Sequence, residues 1–268
     1  MSAGTAAAAR VVADTHLHLY PCYDLALALA SLAANLGRTP AGAYVGFFAE
    51  RHDCQMFAAL RADAARQSRD GFEIRQLPDP GALLLAVAGT PPVHLFAGRQ
   101  IVTAERIEIL ALLAPVAPPD GLPAKQVVAA ILEAGGVPVV GWSPGKWWRG
   151  RGHLVRSLLA RFGADSLLLG DTALRPARCP EPPIMRVARR QGVRVIAGSD
   201  PLPFPGEERL LGSYASIFAG TLDPARPVES ARRLLLSAAA GSAGSRGSWG
   251  GAARRWLRTT RGARACAE

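Results

Sequence analysis

Short apolar runs and longer amphipathic stretches take turns along this chain. Runs at 10–15, 43–48, 72–76, 83–87, 93–96, 107–112, 137–141, 166–169 and 193–197 are Leu-rich or β-branched and bounded by Gly, Pro or Asp. That pattern predicts strands. Stretches at 24–36, 55–65, 124–133, 154–162, 184–191 and 228–237 predict helices. The first of these opens on Asp24, a good N-cap, and Gly37 stops it. Strand followed by helix, repeated, predicts an α/β fold with parallel strands joined by right-handed crossovers. Residues 72–112 break the rhythm with closely spaced strands and no helix, which predicts a β-rich insertion or hairpin in mid-chain.

From about residue 237 the pattern collapses into SAAAGSAGSRGSWGGAARRW. A segment so rich in Gly, Ser and Ala reads as a flexible tail. The opening MSAGTAAAAR lacks the basic start and apolar run of a secretory signal and reads as a disordered lead-in. The expected organisation is a lead-in over 1–9, one folded domain over 10–239 and a low-complexity basic tail over 240–268.

Composition supports a large core: 49% of the 268 residues are hydrophobic. That excludes a mainly disordered chain. No apolar run approaches the roughly 18 residues of a membrane span. The net charge of +10 invites a nucleic-acid reading. However, all but Lys125 and Lys146 of the 31 basic residues are arginine, in a chain rich in Ala, Gly and Pro. Composition bias accounts for that better than phosphate recognition, so a nucleic-acid partner is not expected. The last 29 residues hold six arginines and one glutamate. Such a tail is either solvated or touches nucleic acid or another acidic surface. Cys22, Cys54, Cys179 and Cys266 have no C-x-x-C spacing, which suggests neither a zinc knuckle nor a disulfide scaffold and fits a reducing cytoplasm.

The sharpest chemical feature is Asp14-Thr15-His16-Leu17-His18 at the end of the first predicted strand. Alternate residues of a strand share a face, so His16 and His18 project together. Two imidazoles on one face are a natural half-site for zinc, manganese or iron. The second feature is Gly198-Ser199-Asp200 after the last predicted strand. In a closed barrel the first and last strands are neighbours, so Asp200 would complete a His, His, carboxylate set; its other reading is a loop-capping Asp. Asp171 also falls at a predicted strand end, as a general base, a ligand or a loop cap. The loop Gly145-Lys146-Trp147-Trp148-Arg149-Gly150-Arg151 sets basic side chains among aromatics, which suits either a phosphate or simple surface packing. No phosphate-cradling Gly-rich nucleotide motif occurs.

Taken together, these ends resemble the polymerase-and-histidinol-phosphatase (PHP) family of metal-dependent phosphoesterases. The family's Asp-x-His-x-His opening followed by an acidic residue resembles Asp14, His16, His18 and then Asp24. Its Asp-His-Asp strand end resembles Arg51-His52-Asp53. Its Gly-x-Glu hairpin resembles Gly98-Arg99-Gln100, and its Gly-Ser-Asp-x-His motif resembles Gly198-Ser199-Asp200-Pro201-Leu202. The resemblance implies a distorted seven-stranded (β/α) barrel, similar to a TIM barrel, with a mid-chain β-hairpin. It spans about residues 11–235, in short scattered motifs.

The departures reduce what it implies. The bridging Glu is Gln100, the His of an Ala-His-Pro strand end is Trp142, and the final His is Leu202. One metal position keeps His16, His18 and Asp200, with Gln100 as a neutral fourth candidate; a second keeps only Asp24 and His52. One divalent metal (zinc, manganese or iron), or none, is therefore expected rather than a cluster. The implied function is metal-dependent hydrolysis of a small phosphorylated substrate. Asp171 or Asp24 would take the proton, and Lys146, Arg149, Arg99 and Trp142 would hold the anion. The other reading is a non-catalytic relative that keeps the fold as a binding or scaffold module. Glu105 and Glu108 flank the hairpin, and either would replace the lost carboxylate if Gln100 faces the site.

Overall fold

The computed structural model describes residues 9–64, 71–147 and 150–260. Strand β1 (Arg10–Leu17) leads to helix α1 (Leu25–Gly37), and β2 (Ala43–Phe48) to α2 (Met56–Asp63). Five strands then follow with no helix between them: β3 (Phe72–Gln76), β4 (Ala82–Val87), β5 (Val93–Phe96), β6 (Gly98–Val102) and β7 (Glu108–Leu112). Alternation resumes with α3 (Ala124–Glu133), β8 (Val137–Gly141), α4 (Gly150–Phe162), β9 (Leu168–Thr172), α5 (Pro183–Arg190) and β10 (Val195–Gly198). The chain continues through β11 (Tyr214–Ala219), α6 (Pro227–Leu235), β12 (Ala239–Gly244) and α7 (Trp249–Thr260). The Asp24 carboxylate caps α1 by accepting from the Leu27 amide at 3.0 Å. Ala28, Leu29, Leu32, Ala33 and Leu36 then recur at helical spacing to form its buried face.

The architecture is α/β, with two mixed sheets. Seven strands run in the order β12-β11-β1-β2-β5-β4-β3 and five in the order β10-β9-β8-β7-β6. The pairs β1–β2, β2–β5, β8–β9 and β9–β10 are parallel, as the strand–helix rhythm predicts. The mid-chain segment is antiparallel, in the meander β3–β4–β5 and the pair β6–β7. The two sheets are not one continuous ladder. The two edge strands of the five-stranded sheet each meet an inner strand of the other, β6 at β2 and β10 at β1. Glu50, just past β2, bridges to Arg99 in β6, its amide donating to the Gly98 carbonyl at 3.2 Å and its own carbonyl accepting from the Gln100 amide at 2.8 Å. At the other edge the Asp200 amide donates to the His16 carbonyl at 2.9 Å. Each meeting has a glycine. A Cβ on Gly98 would stand 2.2 Å from the Phe48 carbonyl oxygen, and one on Gly198 would stand 2.4 Å from the His16 amide nitrogen. No other residue allows backbones that close.

One apolar core draws on both sheets, with Val11, Ala13, Val45, Phe47, Leu110, Val139, Leu168 and Ile196 among its members. The helices make two further cores outside the sheets. α1 packs on the first sheet through Leu29, Leu32 and Leu36. α3, α4 and α5 pack on the second through Val128, Leu158 and Met185.

Sequence and structure differ at the C-terminal end and in β9. Residues 239–244 form β12, paired antiparallel with β11. Low side-chain complexity does not prevent this, because the ladder uses backbone groups that every one of these residues has. α7 follows, and Arg255 on it bonds back to Glu207 and to the Asp200 carbonyl, so regular structure stands at 239–244 and 249–260 where a flexible tail was expected. Residues 1–8 of the expected lead-in and 261–268 of the tail lie outside the described residues. β9 begins and ends later than predicted, so Asp171 sits inside it, opposite Ala197 of β10, rather than after it. Among the described cysteines, Cys54 and Cys179 are free thiols. Among the described residues no helix is long and apolar enough to cross a membrane.

Candidate metal centre

The site begins with a change of parity in β1. Val11 and Ala13 face the core shared by both sheets, and Val12 faces the core under α1. Leu17 and Leu19 also face the α1 core, although simple alternation from Val12 would have turned them the other way. The pairing of β1 with β2 is interrupted between Asp14 and Leu17. A bulge there flips the remaining side chains by one position. His16 and His18 share a face, as alternation predicts, and the bulge sets it opposite the face of Leu17 and Leu19.

Asp14 clips the bulge in place. Its Oδ1 accepts from the amides of His16 (3.1 Å) and Ser199 (2.9 Å), and its Oδ2 from the amide of Gly212 (2.9 Å) and the Ser199 hydroxyl. Three chain segments are thus tied to one fully buried carboxylate. Burial pushes its carboxyl above the ordinary value despite those donors. The Thr15 hydroxyl adds a bond to the Ala197 carbonyl at 2.9 Å.

His16, His18 and Asp200 converge. The two Nε2 atoms lie 3.1 Å apart, and each stands 3.5–3.6 Å from Asp200 Oδ1. Gln100 Oε1 lies 2.9 Å from His16 Nε2. Among the described residues this is the one group of three or more His, Cys, Asp or Glu that could hold a metal. One ion with bonds of about 2.0–2.2 Å spaces its ligand atoms roughly 3–3.5 Å apart, so these edges fit one divalent cation. The donor set, two imidazoles and a carboxylate, suits zinc, iron or manganese. Both Nδ1 atoms are buried without a hydrogen-bond partner among the described residues, so none of these steadies either ring from its far side. Asp200 holds φ at +47°, a left-handed conformation rare for residues other than Gly, Asn and Asp. Its backbone is fixed from both sides, by the His16 carbonyl and by the Arg255 guanidinium at 3.1 Å.

Electrostatics suit a cation. Burial lowers the His18 pKa, keeping that imidazole neutral and able to ligate. Burial alone would raise Asp200, but His16, His18 and Arg255 outweigh it and bring the carboxyl down to about 2. Tyr20 stacks on His18, with ring centroids 5.3 Å apart and planes 21° from parallel.

The remaining predicted site residues are dispersed. Asp24 is exposed and occupied as the α1 cap. His52 is also exposed, its Nδ1 3.3 Å from Asp120 Oδ2. Neither joins the cluster: Asp24 is held at the start of α1, and the loop after β2 leaves His52 exposed. Asp171 is buried but saturated: Arg175 clamps both its oxygens, and the Tyr214 hydroxyl donates to Oδ2 at 2.9 Å. That leaves it no free lone pair directed at a substrate. Arg99 is bound to the Cys54 carbonyl at 2.9 Å. Trp142 packs on the core beneath the helices of the second sheet. Leu202, in place of the motif's His, donates its amide to Glu207 at 3.1 Å. Arg149 lies outside the described residues. Glu105 caps α3 through the Ala124 amide. Glu108 is different: it holds Lys146 and Ser143, and its charge reaches His18. Sequence reasoning missed Arg255, which came from a segment read as unstructured; its only signal was an arginine pair in a short amphipathic stretch.

No family model matches the chain, and no curated protein matches it in sequence. Solved structures do. PsfC from Pseudomonas syringae PB-5123 aligns over 94% of this chain and 97% of its own, at TM-score 0.59 and 16% identity. The two share a fold. A lesion-specific endonuclease Q from Pyrococcus furiosus aligns over 84% of this chain at TM-score 0.48 and 13% identity. An endonuclease Q complex with a 27-mer duplex carrying an abasic lesion aligns at 0.47 and 12%. This chain spans about half the length of the nuclease chains, 55% and 56%.

Proposed function

We propose that the chain is a single-metal hydrolase of the polymerase-and-histidinol-phosphatase type, acting on a small phosphate ester. In this reading β1, β2 and β6 to β10 are the staves of a distorted seven-stranded barrel, closed where Gly98 and Gly198 let the two sheets touch. The observation that carries it is the convergence of His16, His18, Asp200 and Gln100 on one point, with ligand-like spacings of 2.9–3.6 Å. His16, His18 and Asp200 hold the ion, and Gln100 offers a neutral oxygen. A divalent ion there supplies Lewis-acid polarisation of a phosphoryl oxygen and activates water near neutral pH. Lys146 binds the anionic group, its ammonium standing beside Glu108. Tyr20 keeps the His18 ring oriented by stacking.

The second reading, a binding module without catalysis, is favoured by one observation: Asp24, His52 and Asp171 are all committed elsewhere, so no second metal position and no free general base forms among them. One experiment separates the two. Protein purified without chelators is assayed for bound zinc, manganese and iron, and for hydrolysis of p-nitrophenyl phosphate with each metal added. Stoichiometric metal and turnover, both lost in His16→Ala, support the hydrolase. Metal binding without turnover supports the module. A parent that binds none of these metals overturns the metal-centre reading.

A further inference from the structure

Glu108 opens β7, directly across the ladder from Gly141 at the end of β8. Two donors converge on its carboxylate. Ser143 Oγ donates to Oε2 at 3.0 Å, and the Lys146 ammonium donates to Oε1. The pair is largely shielded, with side chains 14% and 30% exposed, and Ser143 is buried. The loop that carries both donors is fixed. Trp147, itself buried, donates its indole N–H to the Gly141 carbonyl at 3.0 Å. The Lys146 amide closes a turn on the Ser143 carbonyl at 3.1 Å, with Gly145 supplying a φ of +76°. Arg151 holds the Gly145 carbonyl at 3.0 Å. Lys146 and Ser143 therefore present a prearranged cradle of one charged and one neutral donor, which suits a carboxylate or a phosphoryl group equally.

This cradle adjoins the metal centre. A Cβ placed on Gly141 would stand 3.8 Å from the Glu108 Cβ and 3.9 Å from His16 Cε1. Gly141 therefore lies against both Glu108, which anchors the cradle, and the His16 ring of the cluster. An anion that lay across both would have one end on Lys146 and Ser143 and the other at His16, His18 and Asp200.

We propose that Glu108 is an internal occupant of the substrate's anion subsite, held by Lys146 and Ser143 until a phosphoryl group replaces it. The subsite's place in catalysis rests on the hydrolase reading above, but its occupancy does not. Competition follows from charge. A phosphate entering the cradle must displace one anion from the same two donors, and the displaced carboxylate is left without a cation. The parent protein therefore binds phosphate weakly, and removing the carboxylate charge strengthens binding.

The test uses full-length, metal-stripped protein and inorganic phosphate, followed by calorimetry and by phosphorus NMR line width. Glu108→Gln, which preserves the side-chain shape, and Glu108→Ala are each expected to bind phosphate at least about tenfold more tightly than the parent, the size of one charge-assisted contact. Adding Lys146→Met to either removes the gain. Thermal unfolding confirms that each variant is folded, and either folded Glu108 variant suffices. If neither binds phosphate more tightly, or if the gain survives Lys146→Met, the proposal is overturned. Because the protein is metal-free, tighter binding in a protein that never hydrolyses esters would retain the subsite and reject the hydrolase. Turnover with no gain in phosphate binding would do the reverse.

Discussion

A Cβ on Gly198 would lie 2.4 Å from the Cβ of His16, closer than two carbon atoms approach without a bond. The end of β10 thus rests directly on the backbone of a residue of the candidate metal centre. The same contact brings the Asp200 amide to the His16 carbonyl. Gly198→Ala forces β10 away from β1 and carries Asp200 with it. Overpacking of this kind costs about 1–3 kcal/mol, more where backbone must move. The variant should melt at a lower temperature and bind zinc or manganese at least about tenfold more weakly, since 1.4 kcal/mol is a factor of ten. Unchanged metal affinity in a folded Gly198→Ala protein would show that the seam does not set the ligand geometry.

Asp14 takes four hydrogen bonds from His16, Ser199 and Gly212 and so holds the bulge that turns His16 and His18 inward. Asp14→Asn keeps one oxygen for two of the four donors and presents an NH2 to the others. The Ser199 hydroxyl can rotate to accept from it; the Gly212 amide cannot. A buried donor left unpaired costs about 1–3 kcal/mol. Urea unfolding should register a loss of that order, with the midpoint moving at constant slope. A loss below about 0.5 kcal/mol, the usual range for surface substitutions, would mean that Asp14 is not the clip.

His16, His18 and Asp200 were legible in the sequence because each sits at the end of an apolar run, and strand ends are where such folds gather ligands. Alternation alone placed the two histidines on one face. It could not reveal the bulge at Asp14, whose cause is a carboxylate meeting Ser199 and Gly212 from distant parts of the chain. Family resemblance picked out Gln100, and the structure brings its amide to His16. The same resemblance suggested Asp24 and His52, which lie apart from the cluster for local reasons: one caps a helix, the other follows a loop into solvent. β12 was invisible because Ala, Gly and Ser carry no β pattern. Its position comes from the free edge of β11, a property of the partner.

Removal of residues 239–268 should therefore harm the protein. Without β12, the ladder groups of β11 from Tyr214 to Phe218 lose their partners, and an open sheet edge invites association. The truncated chain is expected to melt lower and to aggregate in size-exclusion chromatography. Arg255→Ala is a milder probe: it releases the Asp200 carbonyl and Glu207 and should weaken metal binding several-fold with a small change in melting temperature. If truncation at 239 leaves both melting and monodispersity unchanged, the pairing of β11 with β12 contributes nothing to the fold in solution.

The metal-free protein should also lose stability below neutral pH, in part through a histidine remote from the metal centre. Burial lowers the pKa of His94 on β5, outweighing a backbone bond at Tyr44, and its Nδ1 has no hydrogen-bond partner among the described residues. Its folded-state pKa therefore lies below the roughly 6.5 of an unfolded chain. As the pH falls through that value, the unfolded state takes up a proton that the folded state refuses, so stability falls. The limit for one group is about 1.4 kcal/mol per pH unit, reached only between the two pKa values. Asp200 does not interfere: its depressed carboxyl stays ionised until pH approaches 2, where its own contribution is lost. Asp14, raised by burial, acts in the opposite direction from His94, so the informative quantity is a difference between two proteins. Urea unfolding of parent and His94→Gln at pH 7.5 and 5.5 measures it. The parent should lose more stability than the variant over that interval, by a few tenths to about 1 kcal/mol. Equal losses would show that His94 takes up its proton as readily in the folded protein as in the unfolded chain.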